Sequence, residues 1–398
     1  MTEAFPLSPS AERALRILES HGHEAYVVGG CVRDFCMNKP PHDFDITSAA
    51  KPHEVKTIFR DFHVIPTGEK HGTVTVILDG EPLEITTFRK DGDYLDGRHP
   101  ENVQFTSAIE EDLKRRDFTV NAMAYSPLRG LCDPFHGQED LKKGVLRCVG
   151  DAQTRFTEDA LRLLRALRFA ARLEFDIEPE TADALHALCP TIQKVSRERV
   201  LSEMNGLLQA RGLVPVMRMF RDVVTAAVPE TAQIAPEAYD QALLHTSRAP
   251  LDLSVRWAAL LCPLGDQATA ALKNLKASNQ LTKEVSQLLS CGDLATDTGT
   301  VKLLMHRIGP DMCKKLFALR WAQGLIEDQD ALLSRMQQIL DDGECYQLSM
   351  LAVSGTDLMR LGITGKNVGK MLQHLLEQVL EGALPNEKEA LLRAAGSF

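Results

Sequence analysis

No stretch of this 398-residue chain is apolar for long enough to span a bilayer. Its first twenty residues, MTEAFPLSPSAERALRILES, are polar and amphipathic, with none of the apolar region of a secretory signal. The nine cysteines are scattered, and no two form a C-x-x-C pair. Together these absences predict reduced thiols in a cytoplasmic protein with no membrane partner. Each cysteine then reads as a small core hydrophobe. There is also no excess of positive charge. Lys and Arg number 45 against 55 Asp and Glu, a net charge of −10, which argues against a basic footprint spread over the whole chain. No internal repeat or low-complexity tract is present. From about residue 151 onward, strand signals nearly vanish.

What is present fits a globular protein of two to four domains. Hydrophobic residues make up 44% and charged residues 25%, and the length allows a sizeable core. Residues 1 to 150 mix an opening amphipathic helix, short β-rich runs and turn clusters. Beyond them, apolar residues recur at spacings of three and four, broken at EPET, VPE, APE, APLD and LPNE. The fold class expected is α+β: an N-terminal head with a small mixed sheet and helices, then an extended all-α region.

The chemistry concentrates in residues 26 to 47, YVVGGCVRDFCMNKPPHDFDIT. Asp43 and Asp45 lie two apart in a β-prone run, so both carboxylates face one way. Side by side they repel unless a cation lies between them. Magnesium is a hard ion that accepts such ligands, with substrate phosphates completing its shell. Upstream, the Gly29-Gly30 turn offers backbone amides at a helix start, a seat for a triphosphate, with Arg33 one turn on. Glu84, in PLEITTF after a hairpin turn at Asp79-Gly80, is a candidate third acid. Nothing here requires a Ser or Cys nucleophile.

Further along, EEDLKRRDFTVNAMAY supplies Arg115, Arg116, Asp117 and Asn121. Arg115 reads as a solvated surface residue and Asn121 as a brace of the turn. Asp117 is open to two roles, contact with a ribose hydroxyl or holding the arginines. Between Lys142 and Arg172 eight basic residues face only Asp151, Glu158 and Asp159, a stripe suited to phosphates. Within it, a helix beginning at Glu158 would carry Asp159 and Arg162 on one face, with Arg165 and Arg168 continuing the row. Cytosine and adenine each show a donor beside an acceptor on the pairing edge. Aspartate only accepts and arginine only donates, so an Asp–Arg pair matches both bases and mismatches G and U.

The ordered motifs GGCVRD, HDFDIT, EITTFR, EEDLKRRDFTVNAMAY and EDALRLLRALRFAARLEF resemble the head and neck of the bacterial tRNA nucleotidyltransferase (CCA-adding enzyme) and poly(A) polymerase family, within the polymerase-beta nucleotidyltransferase superfamily. The likeness is close over roughly residues 20 to 210 and looser to the C-terminus. It implies a catalytic head (1–150), a helical neck that recognises the base (151–212), a helical body (213–340) and a tRNA-binding tail (341–398). It also implies two-metal transfer of nucleotides from CTP and ATP to the tRNA 3′ end, with Mg2+ as cofactor and no protein partner.

By the same likeness, Asp43, Asp45 and Glu84 would be catalytic, the first two holding metal. Gly29, Gly30, Arg33, Arg116, Asp159, Arg162, Arg165 and Arg168 would bind nucleotide, with Asp159 and Arg162 selecting CTP and ATP. The loop 89–102 corresponds to one needed for adding the terminal adenosine. In the body, LDLSVRWAALLCPLGDQ has Cys262 and Pro263 where related proteins carry a metal-binding His-Asp pair, so no hydrolase site is expected there. LMRLGITGKNVGKML, with Lys366 and Lys370, is a candidate RNA-contacting turn. An A-adding enzyme, a poly(A) polymerase and an inactive RNA-binding protein on the same scaffold remain as alternatives.

Overall fold

The computed structural model describes residues 5–41, 43–91, 103–291 and 299–396. The chain forms two compact units, Met1–Thr231 and Ala232–Phe398, and each is taken by itself below.

Among the described residues the first unit has eleven short strands: β1 (Ala25–Val28), β2 (Asp45–Ser48), β3 (His63–Ile65), β4 (Thr73–Leu78), β5 (Glu81–Thr87), β6 (Arg89–Asp91), β7 (Val103–Phe105), β8 (Ala124–Ser126), β9 (Gly130–Cys132), and the parallel pair β10 (Val145–Leu146) and β11 (Asp176–Ile177). Seven of them form one mixed sheet in the order β3-β4-β5-β2-β1-β8-β9. Within it β2 and β5 run parallel, Ile46 beside Ile85, and the other neighbours are antiparallel. Of the expected loop 89–102, Arg89–Asp91 instead form β6, which pairs antiparallel with β7 in a separate ribbon. Residues 92–102 themselves, and His42 of HDFDIT, lie outside the described residues.

Helices α1 (Pro9–Ser20), α2 (Gly30–Cys36), α3 (Pro52–Ile58), α4 (Ile109–Lys114) and α5 (Gly137–Lys143) accompany the sheet. Strand alternation gives it two buried faces. Val27, Ile46, Val74, Val76 and Ile85 meet Ala11, Ala14, Leu15 and Leu18 of α1 on one side. Tyr26 and Val28 meet Phe88, Ile109 and Leu113 on the other. Ser8 starts α1 by accepting the Ala11 N–H at 3.1 Å.

The helical part of this unit comprises α6 (Ala152–Glu158), α7 (Leu161–Leu173), α8 (Pro179–Leu188), α9 (Arg197–Leu208), α10 (Leu213–Met219) and α11 (Arg221–Ala227). One expectation needs correction. The helix expected to begin at Glu158 begins at Leu161: Glu158 is the last residue of α6, and the backbone is extended at Asp159 (φ −143°, ψ 104°). The reason is local. The Asp159 carboxylate accepts the Leu161 N–H at 3.0 Å, offering the backbone a partner outside the helix. Compact packing also continues past residue 212. The Gly212 N–H donates to the Ala171 carbonyl at 3.0 Å, and a Cβ at Gly212 would come within 2.9 Å of that oxygen. Helices α10 and α11 thereby pack on α7.

The second unit holds α12 (Pro236–Arg248), α13 (Leu253–Leu261), α14 (Gln267–Asn274), α15 (Asn279–Ser290), α16 (Val301–Ile308), α17 (Pro310–Ala322), α18 (Gln329–Asp341), α19 (Gly355–Arg360), α20 (Lys366–Leu380) and α21 (Lys388–Gly396). Trp257 and Phe317 are among its fully buried side chains. Cys262 and Pro263 open a short 3-10 turn after α13. Helices α19 to α21 enclose a core of their own around Leu358, Leu375, Leu376 and Leu391. Among the described residues no helix is long and apolar enough to cross a membrane. The nine cysteines are free thiols.

Candidate active site

The first unit contains a cleft of about 350 Å³. Gly29, Gly30, Arg33, Asp43, Asp45, Arg116, Arg165 and Arg168 line it, residues drawn from across more than a hundred positions of sequence. Cys31, Asp34, Asp117, Asn121, Phe169 and Arg172 complete the lining. Glu84, Asp159 and Arg162 are not among them.

On the acidic side, β2 starts at Asp45, so Asp43 belongs to the approach to the strand rather than to the strand itself. The alternation persists all the same. Phe44 packs on the core, while Asp43 and Asp45 are exposed. Glu84 precedes Ile85 on β5 as Asp45 precedes Ile46 on β2, so both acids lie on one face of the sheet. Asp45 is open to solvent along the cleft but hemmed in by protein elsewhere. That burial pushes its carboxyl above the usual carboxylate range; Arg116 opposes the shift, and the charges of Glu84 and Asp43 add to it. Glu84 thus acts on Asp45 through space without joining it. Among the described residues no cluster of three or more His, Cys, Asp or Glu side chains meets the geometry of a metal cage.

Four of the five arginines that line the cleft are paired with carboxylates. Arg33 Nη2 donates to Asp34 Oδ1 at 2.7 Å, and Arg165 Nη2 to Asp117 Oδ2 at 2.6 Å. Arg168 Nε donates to Glu203 Oε2 at 2.5 Å. Arg116 lies 3.7 Å from Asp112, a fully buried acid that also holds Arg115 at 2.9 Å. Arg115 is therefore paired to a buried acid, not free in solvent as its neighbourhood suggested. Gly29 has φ +75°, and a Cβ there would come within 3.1 Å of Arg116 Nη1. Glycine is required for the turn and for the approach of that guanidinium.

Asn121 and Asp117 tie the two sides of the arginine wall together. Arg33 Nη1 donates to Asn121 Oδ1 at 2.7 Å, and Asn121 Nδ2 donates to Asp117 Oδ1 at 3.2 Å. Of the two roles open to Asp117, the structure displays the holding of an arginine. Burial pushes its carboxyl up, but Arg165 and the Asn121 hydrogen bond outweigh this and leave it below the usual range.

Asp159 and Arg162 are near each other in sequence but are engaged with protein groups. Asp159 Oδ2 accepts from Arg199 Nη2 at 2.8 Å. Arg162 is buried; it donates to Glu158 Oε2 at 2.5 Å and to the Arg155 and Arg115 carbonyls at 3.0 Å. Sequence reasoning missed Glu203, Phe169 and Gly206. A Cβ at Gly206 would come within 2.5 Å of Arg168 Cδ, so α9 leaves room there for the arginine to lie flat. Helix α9 is more than thirty residues downstream, and no local spacing links it to α7.

A mixed sheet carrying paired acids, faced by an arginine-lined helix across one cleft, defines a nucleotidyltransferase head. Residues 25–147 match the family model "Poly A polymerase head domain" and 252–395 match tRNA nucleotidyltransferase domain 2. Residues 174–233 match "Probable RNA and SrmB- binding site of polymerase A".

The CCA-adding enzyme of Streptococcus thermophilus is 36% identical over 96% of this chain and 95% of its own. That of Pediococcus pentosaceus is 37% identical over 98% and 97%. The crystal structure of the Bacillus stearothermophilus CCA-adding enzyme in complex with CTP superposes with a TM-score of 0.84 at 29% identity, covering 98% of both chains. The chain belongs to the CCA-adding enzyme family of tRNA nucleotidyltransferases.

Proposed function

We propose that the protein adds the 3′-terminal CCA to tRNA from CTP and ATP, releasing pyrophosphate, with Mg2+ as cofactor in the cytoplasm. The observation that carries this is the single cleft in which Asp43 and Asp45 face Arg33, Arg116, Arg165 and Arg168. The extent of the likeness to CCA-adding enzymes favours this over A-only addition, poly(A) addition or an inactive scaffold.

The donor set suits magnesium. Two hard carboxylates repel each other, and the arginines beside them leave room for phosphate oxygens to complete a shell. Asp43 and Asp45 would hold two such ions, which when bound would stabilise the charge on the attacking and leaving oxygens. The remaining tasks fall to the chain. Arg33 and Arg116 neutralise the triphosphate and the departing pyrophosphate. The bond formed joins the tRNA 3′-oxygen to the α-phosphorus. The bond broken lies between the α-phosphorus and the bridging oxygen to the β-phosphate. Glu84 adds negative potential at Asp45 and so favours cation capture.

Asp159 and Arg162 read the base in this proposal. To do so they exchange their bonds to Arg199 and Glu158 for bonds to the pairing edge. Leaving those groups unpaired opposite G or U costs about 1–3 kcal/mol each. Lys366 and Lys370, exposed at the start of α20, contact the tRNA backbone. The test is incorporation on three substrates: tRNA lacking CCA, tRNA lacking the terminal A, and generic RNA. Addition of two C and one A to the first is expected. Addition of A alone, or tailing of generic RNA, would refute the proposal.

A further inference from the structure

Phe169 occupies the centre of the arginine wall. Its ring is buried, 6% exposed, and three guanidinium groups lie over it. The Cζ atoms of Arg168, Arg165 and Arg33 are 4.5, 5.3 and 5.6 Å from the ring centroid. Phe118 meets the same ring at 5.9 Å with the planes inclined by 71°. Arg33 comes from α2, at the triphosphate seat, whereas Arg165 and Arg168 come from α7. Asp34, Asp117 and Glu203 pair with these arginines, Glu203 also lies 3.8 Å from Arg165, and Asn121 links Arg33 to Asp117, but no single one of these groups touches all three guanidinium groups. The ring is what all three share. Its negative face attracts cations within about 6 Å, more strongly where water is excluded.

We propose that Phe169 is a positioning residue for nucleotide binding, whose π face holds Arg33 together with Arg165 and Arg168 as one preassembled cationic wall. This rests on the reading of the cleft as the nucleoside triphosphate site. Like charges already brought together around one aromatic ring do not need to be gathered when the triphosphate arrives, so less ordering opposes binding. The ring is too buried to stack on a base. CTP and ATP carry the same triphosphate, so the effect falls on both.

The test replaces Phe169, in the full-length protein, with phenylalanines carrying one, three and five ring fluorines. Fluorination drains the ring face of negative potential and nearly preserves its shape. Three readouts are taken: KM and equilibrium binding for CTP and for ATP, kcat at saturating nucleotide, and melting temperature. KM for both nucleotides should rise stepwise, reaching about tenfold with five fluorines, with kcat and melting temperature nearly unchanged. Phe169→Leu, which keeps an apolar filler, should show the same loss of affinity.

A flat KM across the series overturns the proposal. So does a rise confined to one nucleotide, which would mean the ring acts on a base. So does a KM rise that follows a falling melting temperature, the mark of a purely structural role. Failure of the wild-type protein to add C or A to tRNA would refute the parent reading. Nucleotide binding would still report separately on Phe169.

Discussion

The two walls of the cleft are built on opposite electrostatic plans. On β2 and its approach, Asp43 and Asp45 stand together, and burial and mutual repulsion raise the Asp45 carboxyl. On α2 and α7, by contrast, Arg33, Arg165 and Arg168 are paired with Asp34, Asp117 and Glu203, the last also reaching Arg165. The acid wall is compensated only in part, by the charge of Arg116, and the Asp45 carboxyl stays raised; in the proposed reading a bound cation relieves the rest. The arginine wall is compensated in advance, so it can be dense with charge and still fold. If the cleft binds a metal–triphosphate complex as proposed, its two sides need not be neutral one by one: repulsion would serve the cation and prior order the anion.

The largest expected effect breaks the acid wall. Asp43→Ala should lower incorporation by about 10³-fold or more with the fold intact, measured as single-nucleotide addition beside a circular dichroism melt. Wild-type-like turnover would remove Asp43 from the metal site. On the opposite wall, Glu203→Ala leaves Arg168 without its partner. Both groups are mostly buried, so a loss of about 2–4 kcal/mol in denaturant unfolding is expected, together with a higher KM for CTP and ATP. An unchanged unfolding midpoint would show that the pair contributes nothing.

A smaller effect tests the residues that the cleft does not include. Asp159→Ala should relax discrimination against UTP by about tenfold, more than it weakens triphosphate binding. Unchanged preference for CTP and ATP would reject base reading by this residue.

The smallest effect concerns pH. Folding raises the Asp45 carboxyl, so the folded state binds its proton more readily than the unfolded one. Stability therefore falls as pH rises from the ordinary carboxylate value through the raised one. In EDTA at neutral pH, Asp45→Asn should match or exceed the wild type in unfolding free energy, by less than about 1 kcal/mol since the group is solvent-open. Adding Mg2+ should then stabilise the wild type only. Equal stabilisation of both would place the cation elsewhere. Asp117 runs the other way. Its lowered carboxyl favours the folded state above the ordinary carboxylate value, and that contribution is lost as pH falls through the lowered one.

Much of this was legible in the chain because the rules involved are local. Two-residue alternation places Asp43 and Asp45 on one side even though the strand begins only at Asp45. The φ-positive turn at Gly29 is likewise a single-residue preference. The row Arg165–Arg168 follows from helical spacing, and the loss of strands after 151 follows from apolar period. Spacing failed at Asp159, where a side chain competing for the Leu161 N–H breaks the helix that the pattern predicted. It failed again at Arg115, whose buried partner Asp112 is hidden by its polar neighbours.

The sequence by itself determined the α+β order, the acid pair, the glycine turn and the arginine row. Each depends on backbone periods of two or 3.6 residues and on the stereochemistry of single positions. Only the tertiary structure decided that Glu203 and Gly206 of α9 would shape Arg168, and that Asn121 would bridge Arg33 to Asp117. It also decided that Phe169 would sit beneath arginines from two separate helices. Those partnerships join residues tens of positions apart. Which charges meet in a closed space depends on how helices and sheet pack, and no local period encodes that.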